Sequence, residues 1–309
     1  MARSYGAGYN AFCAYGAEQT LAVLEAFEAI RPDPKEPSLA AVEAWRRAAV
    51  RLQACLTLFS PCFPPTRIAF WKRRLRRLLR ALNALHDTLR LLQAIESQGR
   101  IRLRLQQRVE SLLQKARMAW ERLHREHIPN EIRGLAKRRA SGKWQTMGDA
   151  LQACAQMRWA ELARVNLKWL EGEQRSLASL GMTPLPTATP NEVRELRMTP
   201  QTEGEAWTKE ALHALETRWG RLQLMVEVGE LLAPLLGEEL PLQSLQARYR
   251  ELDALRFRAR AIEQLAQLKE AERALTLHYQ GHLRGFRRIE QEFNRWIEHF
   301  RSERVAEGL

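Results

Sequence analysis

Apolar residues recur along this chain at the i, i+3, i+4, i+7 spacing of an amphipathic α-helix, and no stretch shows the strict alternation of a half-buried strand. Proline-rich segments interrupt the pattern at 31–37, 60–65 and 182–190. The residue before a proline is disfavoured in the helical region, so these segments predict connections between helices. The pattern predicts an all-α protein with helices over 10–30, 39–59, 66–98, 101–127, 144–180, 204–233, 241–268 and 270–304.

An internal repeat divides these eight helices into two sets of four. A shift of 170 places Ala41–Leu56 on Ala211–Val226, with a contiguous Arg-Leu-Gln in both copies. A shift of 167 places the leucine-rich helix after Trp71 on the segment from Leu240 to Ile262. Two alignments in the same order with similar offsets indicate duplication. We therefore predict two four-helix bundles, residues 1–140 and 141–309, and Ser38 as the N-cap of the second helix.

The helix over 66–98 has two chemically distinct faces. At 100° per residue its arginines fall on one side, while Trp71 and a row of leucines fall on the other. Stacked like charges are mildly unfavourable within a helix, so carboxylates or an anionic ligand must compensate them. The side chains that define this basic face are Arg73, Arg76, Arg77 and Arg80.

The helix over 39–59 also has a polar and an apolar side, and its later copy repeats the division. Trp45, Leu52, Leu56 and Phe59 form the apolar side of the earlier helix. Its polar side carries Glu43, Arg46, Arg47, Arg51 and Gln53, and the later copy carries His213, Glu216, Arg218, Arg221 and Gln223.

Composition points to an acidic partner. The 309 residues carry a formal net charge of +13, and the basic side chains are 41 Arg against 8 Lys. Such an excess favours nucleic acid, polyphosphate or an anionic membrane surface. Arginine grips phosphate oxygens with a planar fork, although a GC-rich genome would also favour arginine codons.

The tryptophans help to separate these polyanions. Proteins that bind single-stranded nucleic acid set aromatic rings among their basic groups, whereas Trp45 and Trp71 lie on the predicted apolar faces. No zinc finger or strand-borne RNA-recognition motif is found. A phosphate-rich ligand without bases therefore fits better than DNA or RNA, with nucleic acid as the second choice.

Motifs for catalysis are missing from the sequence. There is no P-loop, no Rossmann glycine pattern and no G-x-S-x-G. His124 and His127 could share a metal ion by their spacing, but no third ligand lies near them in the sequence, and a surface pair is the better interpretation. We expect no catalytic activity, no cofactor and no metal.

The cysteines and the first residues bear on location. Cys13, Cys55, Cys62 and Cys154 form no C-x-x-C and no zinc-binding spacing. The first 21 residues contain no apolar core of a signal peptide, and no apolar run is long enough to span a membrane. We expect a cytoplasmic protein with reduced thiols.

The segment from Ala41 to Glu96 resembles the CHAD family, the conserved histidine α-helical domains. "VEAWRRAAVRLQACLTLF" resembles the first family signature, with Glu43 in place of its histidine and Gln53 in place of its last arginine. "LNALHD" resembles a second landmark, with His86 in place of an arginine before Asp87. "HALETRWGRLQLMVE" is similar to the signature of the second half. It keeps His213, Arg221, Leu222 and Glu227 and departs at Glu216, Gly220 and Gln223.

The resemblance implies two four-helix bundles related by a pseudo-twofold axis, with a basic channel that binds inorganic polyphosphate. We therefore expect non-enzymatic binding of polyphosphate or another polyanion, together with polyphosphate granule association. The alternative is a divergent helical scaffold that binds an acidic protein or nucleic acid. The candidate phosphate-binding residues are Arg46, Arg47, Arg51, Arg73, Arg76, Arg77, Arg80, His213, Arg218 and Arg221.

Overall fold

A computed structural model describes residues 8–30, 37–95, 99–140, 148–169, 209–278 and 283–302. Within these ranges the protein is all-α, as predicted, and contains no strand. Short 3₁₀ turns at Ser60–Cys62 and Gly237–Glu239 precede two of the helices. The helices are α1 Tyr9–Ala29, α2 Leu39–Leu58, α3 Pro65–Ala94, α4 Arg100–Arg125, α5 Ile128–Arg139, α6 Gly148–Asn166, α7 Lys209–Leu236, α8 Leu242–His278 and α9 Leu283–Ser302.

Helix α5 is the main difference from the predicted elements, because the sequence pattern predicts a connection over its residues. His127 takes a left-handed backbone conformation with φ 52°, which separates α4 from α5. Pro129 then occupies the first turn of α5, where its missing N–H costs nothing. The break predicted near residue 269 is also wrong, since α8 continues to His278.

Local signals account for the start of α2. The Ser38 hydroxyl oxygen accepts a hydrogen bond from the backbone N–H of Ala41 at 3.1 Å, which confirms Ser38 as the N-cap.

The apolar side chains predicted for α2 and α3 are in the core, with Trp45 and Trp71 both almost fully buried. The helical periodicity therefore identified the inward faces correctly.

Two compact units divide the chain. The first comprises residues 1–162 and 222–251, and the second comprises 163–221 and 252–309. Their boundary passes through α6, α7 and α8. The predicted halves at 1–140 and 141–309, the duplication and the pseudo-twofold symmetry stay predictions.

Aromatic side chains fill the core of the first unit. The Phe27 ring lies 4.6 Å from the Trp120 ring between centroids, and the Trp45 ring lies 5.7 Å from it. Helix α1 also packs closely against the end of α2, where Gly16 faces Phe59. A Cβ at Gly16 would lie 2.3 Å from Cδ1 of Phe59, so only glycine fits here without movement.

A buried arginine closes the C-terminal end of α2. Arg158 of α6 donates from Nε to the Leu58 carbonyl at 2.9 Å and from Nη2 to the Thr57 carbonyl at 2.8 Å. The same Nη2 reaches Ser60 Oγ at 2.9 Å. These bonds satisfy carbonyls that the end of a helix leaves without partners, so Arg158 fixes α6 against α2.

The second unit has its own small apolar cluster, formed by Leu212, Leu215 and Ala259 with Leu252 packed against it. The Trp219 indole donates to Asp253 Oδ1 at 3.0 Å. The guanidinium carbon of Arg256 lies 4.1 Å from the centroid of the Trp219 ring, a cation–π contact. None of the described helices combines the length and the apolar character needed to cross a membrane.

Candidate functional site: an exposed arginine face and a buried charge cluster

The basic face predicted on α3 is exposed to solvent. Leu75, Leu78, Leu79 and Leu82 lie on the opposite side of this helix and are buried, so packing of the leucines turns the arginines outwards. We call the four exposed arginines, Arg73, Arg76, Arg77 and Arg80, the α3 arginine face.

No carboxylate of the described residues forms an ion pair with the α3 arginine face. Its contacts are local: Arg76 Nε donates to the Lys72 carbonyl at 3.2 Å, and the Arg73 guanidinium lies 5.8 Å from the Phe70 ring centroid. The neighbouring Arg74 is different, because it is half-buried and pairs with Glu126. The face therefore keeps donor groups that an external anion can use.

Lys72 reflects the positive potential beside this face. Burial lowers the pKa of its ammonium group, and the nearby positive charges of Arg76 and Arg158 lower it further. Like charges disfavour the protonated form of a lysine. The sequence alone does not predict a role for Lys72 or Arg158, because only the tertiary structure places α6 near the start of α3.

A second set of candidate residues lies at a buried charge cluster that joins α2 to α3. Arg46 makes a bidentate contact with Glu43, from Nε to Oε2 and from Nη2 to Oε1, both at 2.9 Å. Arg47 approaches the same carboxylate at 3.5 Å. From α3, His86 Nε2 lies 3.0 Å from Glu43 Oε2. We call Glu43, Arg46, His86 and Asp87 the α2–α3 charge cluster.

The protonation of this cluster follows from its contacts. Burial opposes the charge of Glu43, but hydrogen bonds from His86 and Arg46 hold its pKa well below the usual range. Burial likewise opposes the charge of His86, and the carboxylates of Asp87 and Glu43 outweigh it, so the pKa of His86 is raised. Burial also opposes the charge of Arg46, whose pKa is nevertheless raised by Glu43 and by Tyr249 of α8. The cluster thus compensates its own charges.

Arg51 lies further along α2 and faces two carboxylates of α7. Its Nη1 donates to Glu230 Oε2 at 3.0 Å and lies 3.6 Å from Glu227 Oε2. Glu227 is 9% exposed, and its Oε2 has no hydrogen-bond partner among the described residues. Burial and the charge of Glu230 together raise the pKa of Glu227 to about 7, against the opposing effect of the arginines of α2.

The candidate residues of the later copy lie in the second unit. His213 and Arg221 are exposed, and the Arg218 guanidinium lies 5.4 Å from the Trp169 ring centroid. Glu216 binds Arg260 of α8, whose Nη1 also donates to Glu263 at 2.6 Å. This group is a separate set from the α3 arginine face, which lies in the first unit.

The predicted phosphate-binding residues therefore differ in whether a carboxylate already binds them. Arg46, Arg47 and Arg51 contact carboxylates, whereas none of the carboxylates in the described ranges pairs with the α3 arginine face. Over the described ranges, no three His, Cys, Asp or Glu side chains are arranged to hold a metal ion. His124 and His127 are both exposed.

Comparison with known proteins gives no relative: no family model, no curated protein and no solved structure matches the chain. The resemblance to CHAD domains stays a prediction.

Proposed function

We propose that this protein is a non-enzymatic, cytoplasmic, CHAD-type polyanion-binding protein whose ligand is inorganic polyphosphate, held on the α3 arginine face. One observation carries the proposal: four arginines lie exposed on one helix face without a carboxylate partner among the described residues. From Arg73 to Arg80 the helix rises about 10 Å, so the face can contact successive phosphates of a linear chain.

The chemistry of the side chains supports a phosphate ligand. Each guanidinium presents several N–H donors in a fixed plane and can take two oxygens of one phosphate. Burial is the main cause of the lowered pKa of Lys72, and the positive charges of Arg76 and Arg158 lower it further. These charges also attract an anion to this part of α3. Trp71 is buried and cannot stack bases, and the Phe70 ring beside Arg73 is partly covered. We take this as favouring polyphosphate over single-stranded nucleic acid.

The buried arginines of α2 have a smaller part in this proposal. A phosphate at Arg46 would have to displace Glu43, and a phosphate at Arg51 would have to displace Glu230. Each displacement would break hydrogen bonds between an arginine and its glutamate, which makes phosphate binding there less favourable. We therefore assign the main contacts to the α3 arginine face and treat Arg46, Arg47 and Arg51 as secondary.

A second function, that of a scaffold for an acidic protein or nucleic acid, is favoured by the self-compensated α2–α3 charge cluster. Glu43 stands where the resemblance places a ligand-facing histidine, and it binds Arg46 instead of leaving it for phosphate.

Titration of fluorescently labelled long-chain polyphosphate separates the two functions. Single- and double-stranded DNA of matched charge are titrated in parallel at several salt concentrations. We expect polyphosphate to bind more tightly than either DNA at each salt concentration. The logarithm of its binding constant should fall linearly with the logarithm of salt concentration, by about 0.7–0.9 for each phosphate neutralised if nucleic-acid behaviour holds.

Tighter binding of either DNA would instead favour the scaffold. A lack of polyphosphate binding even at low salt would sink the polyphosphate proposal.

A further inference from the structure

Two arginines of the α3 arginine face are held in place by contacts within their own helix. The Arg73 guanidinium lies 5.8 Å from the centroid of the Phe70 ring, within the range of a cation–π contact. Arg76 donates from Nε to the Lys72 carbonyl at 3.2 Å, which leaves its two terminal nitrogens for other acceptors. Both side chains are exposed, so they present positioned donors to the solvent.

The ring that holds Arg73 is itself fixed by a chain of charged contacts. The Arg74 guanidinium lies 5.2 Å from the same Phe70 centroid. Arg74 binds the Glu126 carboxylate of α4 at 2.5 Å, and Arg122 Nε donates to that carboxylate at 3.0 Å. The position of Arg73 is therefore tied to the packing of α3 against α4.

Lys72 adds a third cation at this end of the face. It precedes Arg76 by one helical turn, and Lys72, Arg76 and Arg73 follow one another around the helix within an arc of about 100°. Lys72 is half-buried, and no carboxylate in the described ranges pairs with it. A partly buried ammonium group without a counter-charge is stabilised by an anion that binds beside it. We call Lys72, Arg73 and Arg76 the Lys72 cluster.

The other end of the face lacks such contacts. Arg77 and Arg80 are exposed, and neither makes a hydrogen bond, an ion pair or a ring contact within the part of the chain that the structure describes. Ordering a long side chain on binding costs conformational entropy. The same phosphate group should therefore bind more tightly at the Lys72 cluster than at Arg77 or Arg80.

We propose that the Lys72 cluster binds the end of a polyphosphate chain, while interior phosphates lie along Arg77 and Arg80. This assignment rests on the proposed polyphosphate-binding function. A terminal phosphate has a second ionisable oxygen, with a pKa near 6 in phosphate monoesters, so it carries nearly twice the charge of an interior phosphate at neutral pH. It also has one more free oxygen to accept hydrogen bonds. Three cations at one end of the face suit this group better than an interior phosphate.

Competition between a linear and a cyclic phosphate tests the assignment. Labelled long-chain polyphosphate is first bound to the full-length protein at neutral pH, and is then displaced with linear triphosphate or with cyclic tetraphosphate. The two competitors are close in charge, but only the linear one has chain ends. We expect linear triphosphate to displace the label at an about five- to tenfold lower concentration, the difference that roughly one hydrogen bond to a charged group supplies.

Equal displacement by the two competitors, or stronger displacement by the cyclic one, would overturn chain-end binding and leave polyphosphate binding itself intact. A protein that binds no labelled polyphosphate in the first step would overturn both. The direct titration of the label therefore separates the two failures.

Two variants locate the preference on α3. Lys72→Met removes the charge and keeps an apolar side chain, so it should abolish the preference for linear triphosphate while the helical circular dichroism is unchanged. Arg80→Ala is the matched comparison, because it should weaken both competitors by a similar factor and keep their ratio. If Lys72→Met lowers the melting temperature, Arg73→Gln makes the same test at an exposed position. A preference that survives in folded Lys72→Met or Arg73→Gln protein would contradict the assignment.

Discussion

His86 of α3 bonds Glu43 of α2, with its Nε2 3.0 Å from the carboxylate oxygen Oε2. In the family resemblance, Glu43 stands where a histidine is expected and His86 stands where an arginine is expected. The two departures from the signatures therefore meet in space as one pair of opposite charge. The buried Arg46 shares the same carboxylate, so Glu43 holds two helices together.

Replacement of Glu43 by Gln should destabilise the first unit. Arg46 would remain buried without its counter-charge, a change that costs roughly 3–5 kcal/mol for a fully buried pair and less here, about 2–3 kcal/mol, because Glu43 is partly exposed. Urea unfolding at neutral pH measures the change. The matched control is Glu251→Gln, which removes an ion pair with Arg248 at the same i, i+3 spacing on the surface and should cost under about 1 kcal/mol. Equal losses for the two variants would contradict a buried role for Glu43.

Glu227 should make stability fall as the pH rises. Its pKa is raised to about 7 in the folded state, so the folded protein holds the carboxyl proton more tightly than the unfolded chain does. The resulting contribution to the free energy of unfolding is fully present below the unfolded pKa near 4.5 and is lost as the pH rises through 7. Glu227→Gln removes this dependence and should be more stable than wild type at pH 8, by on the order of 3 kcal/mol at most. Denaturant titrations at pH 5 and pH 8 test the difference.

In the same experiment, the stability difference between Glu43→Gln and wild type should have the opposite pH dependence. The pKa of Glu43 is lowered on folding, so its contribution is present above the unfolded value and is lost as the pH falls. The deficit of Glu43→Gln relative to wild type should therefore shrink towards low pH, whereas the gain of Glu227→Gln should appear only towards high pH. A parallel pH dependence of the two variants would show that the assigned shifts are wrong.

The double variant Arg76→Ala, Arg80→Ala should weaken polyphosphate binding and leave thermal melting nearly unchanged. Both side chains are exposed, and surface changes of this kind alter stability by about 0.5 kcal/mol or less. The salt slope of binding should fall by about 0.7–0.9 for each phosphate that the variant no longer neutralises. Arg287→Ala with Arg288→Ala is the control, because it removes two exposed arginines from α9. A large drop in melting temperature would mean that the α3 arginines are structural.

Gly16→Ala should destabilise the protein because the new Cβ would overlap the Phe59 ring at 2.3 Å. Overpacking of a tight core costs about 1–3 kcal/mol. Gly134, inside α5, has no atom within 4 Å of the same position, so Gly134→Ala should stabilise by about 0.5–1 kcal/mol through helix propensity. Thermal or chemical unfolding of the two variants should therefore move in opposite directions.

The sequence predicts which side of each helix is buried, but not which side chains pair across helices. Helical periodicity identified the buried sides of α2 and α3 and the outward turn of the α3 arginines, since both depend only on spacing along one helix. It could not predict that Glu227 and Arg51, 176 positions apart, would meet. Nor could it place Arg158 at the end of α2. Charges that pair across helices depend on the packing arrangement, which a single helix does not encode.

Helix α5 and Asp87 show two further limits. The sequence pattern does not predict α5, because this helix is short and follows a residue with left-handed backbone, a state that non-glycine residues seldom adopt. At 100° per residue Asp87 falls on the same side of α3 as the arginines, but it is buried at 3% exposure beside His86. Near Asp87, the exposed side of α3 is therefore narrower than helical periodicity alone predicts.

The buried hydroxyl of Tyr15 donates to the carbonyl of Leu231 at 2.9 Å, across 216 positions of the chain. Pro234 lies within α7 and lacks the N–H that would bond the carbonyl of Glu230, next to this acceptor. During synthesis at roughly 5–20 residues per second, Leu231 is added roughly 10–40 s after Tyr15. For that interval the phenol has no Leu231 carbonyl to bond, and α1 lacks this contact with α7. Helix α1 is thus made before α7 but completes this contact only with it, so the newly made chain depends on α7 to satisfy the buried phenol of Tyr15.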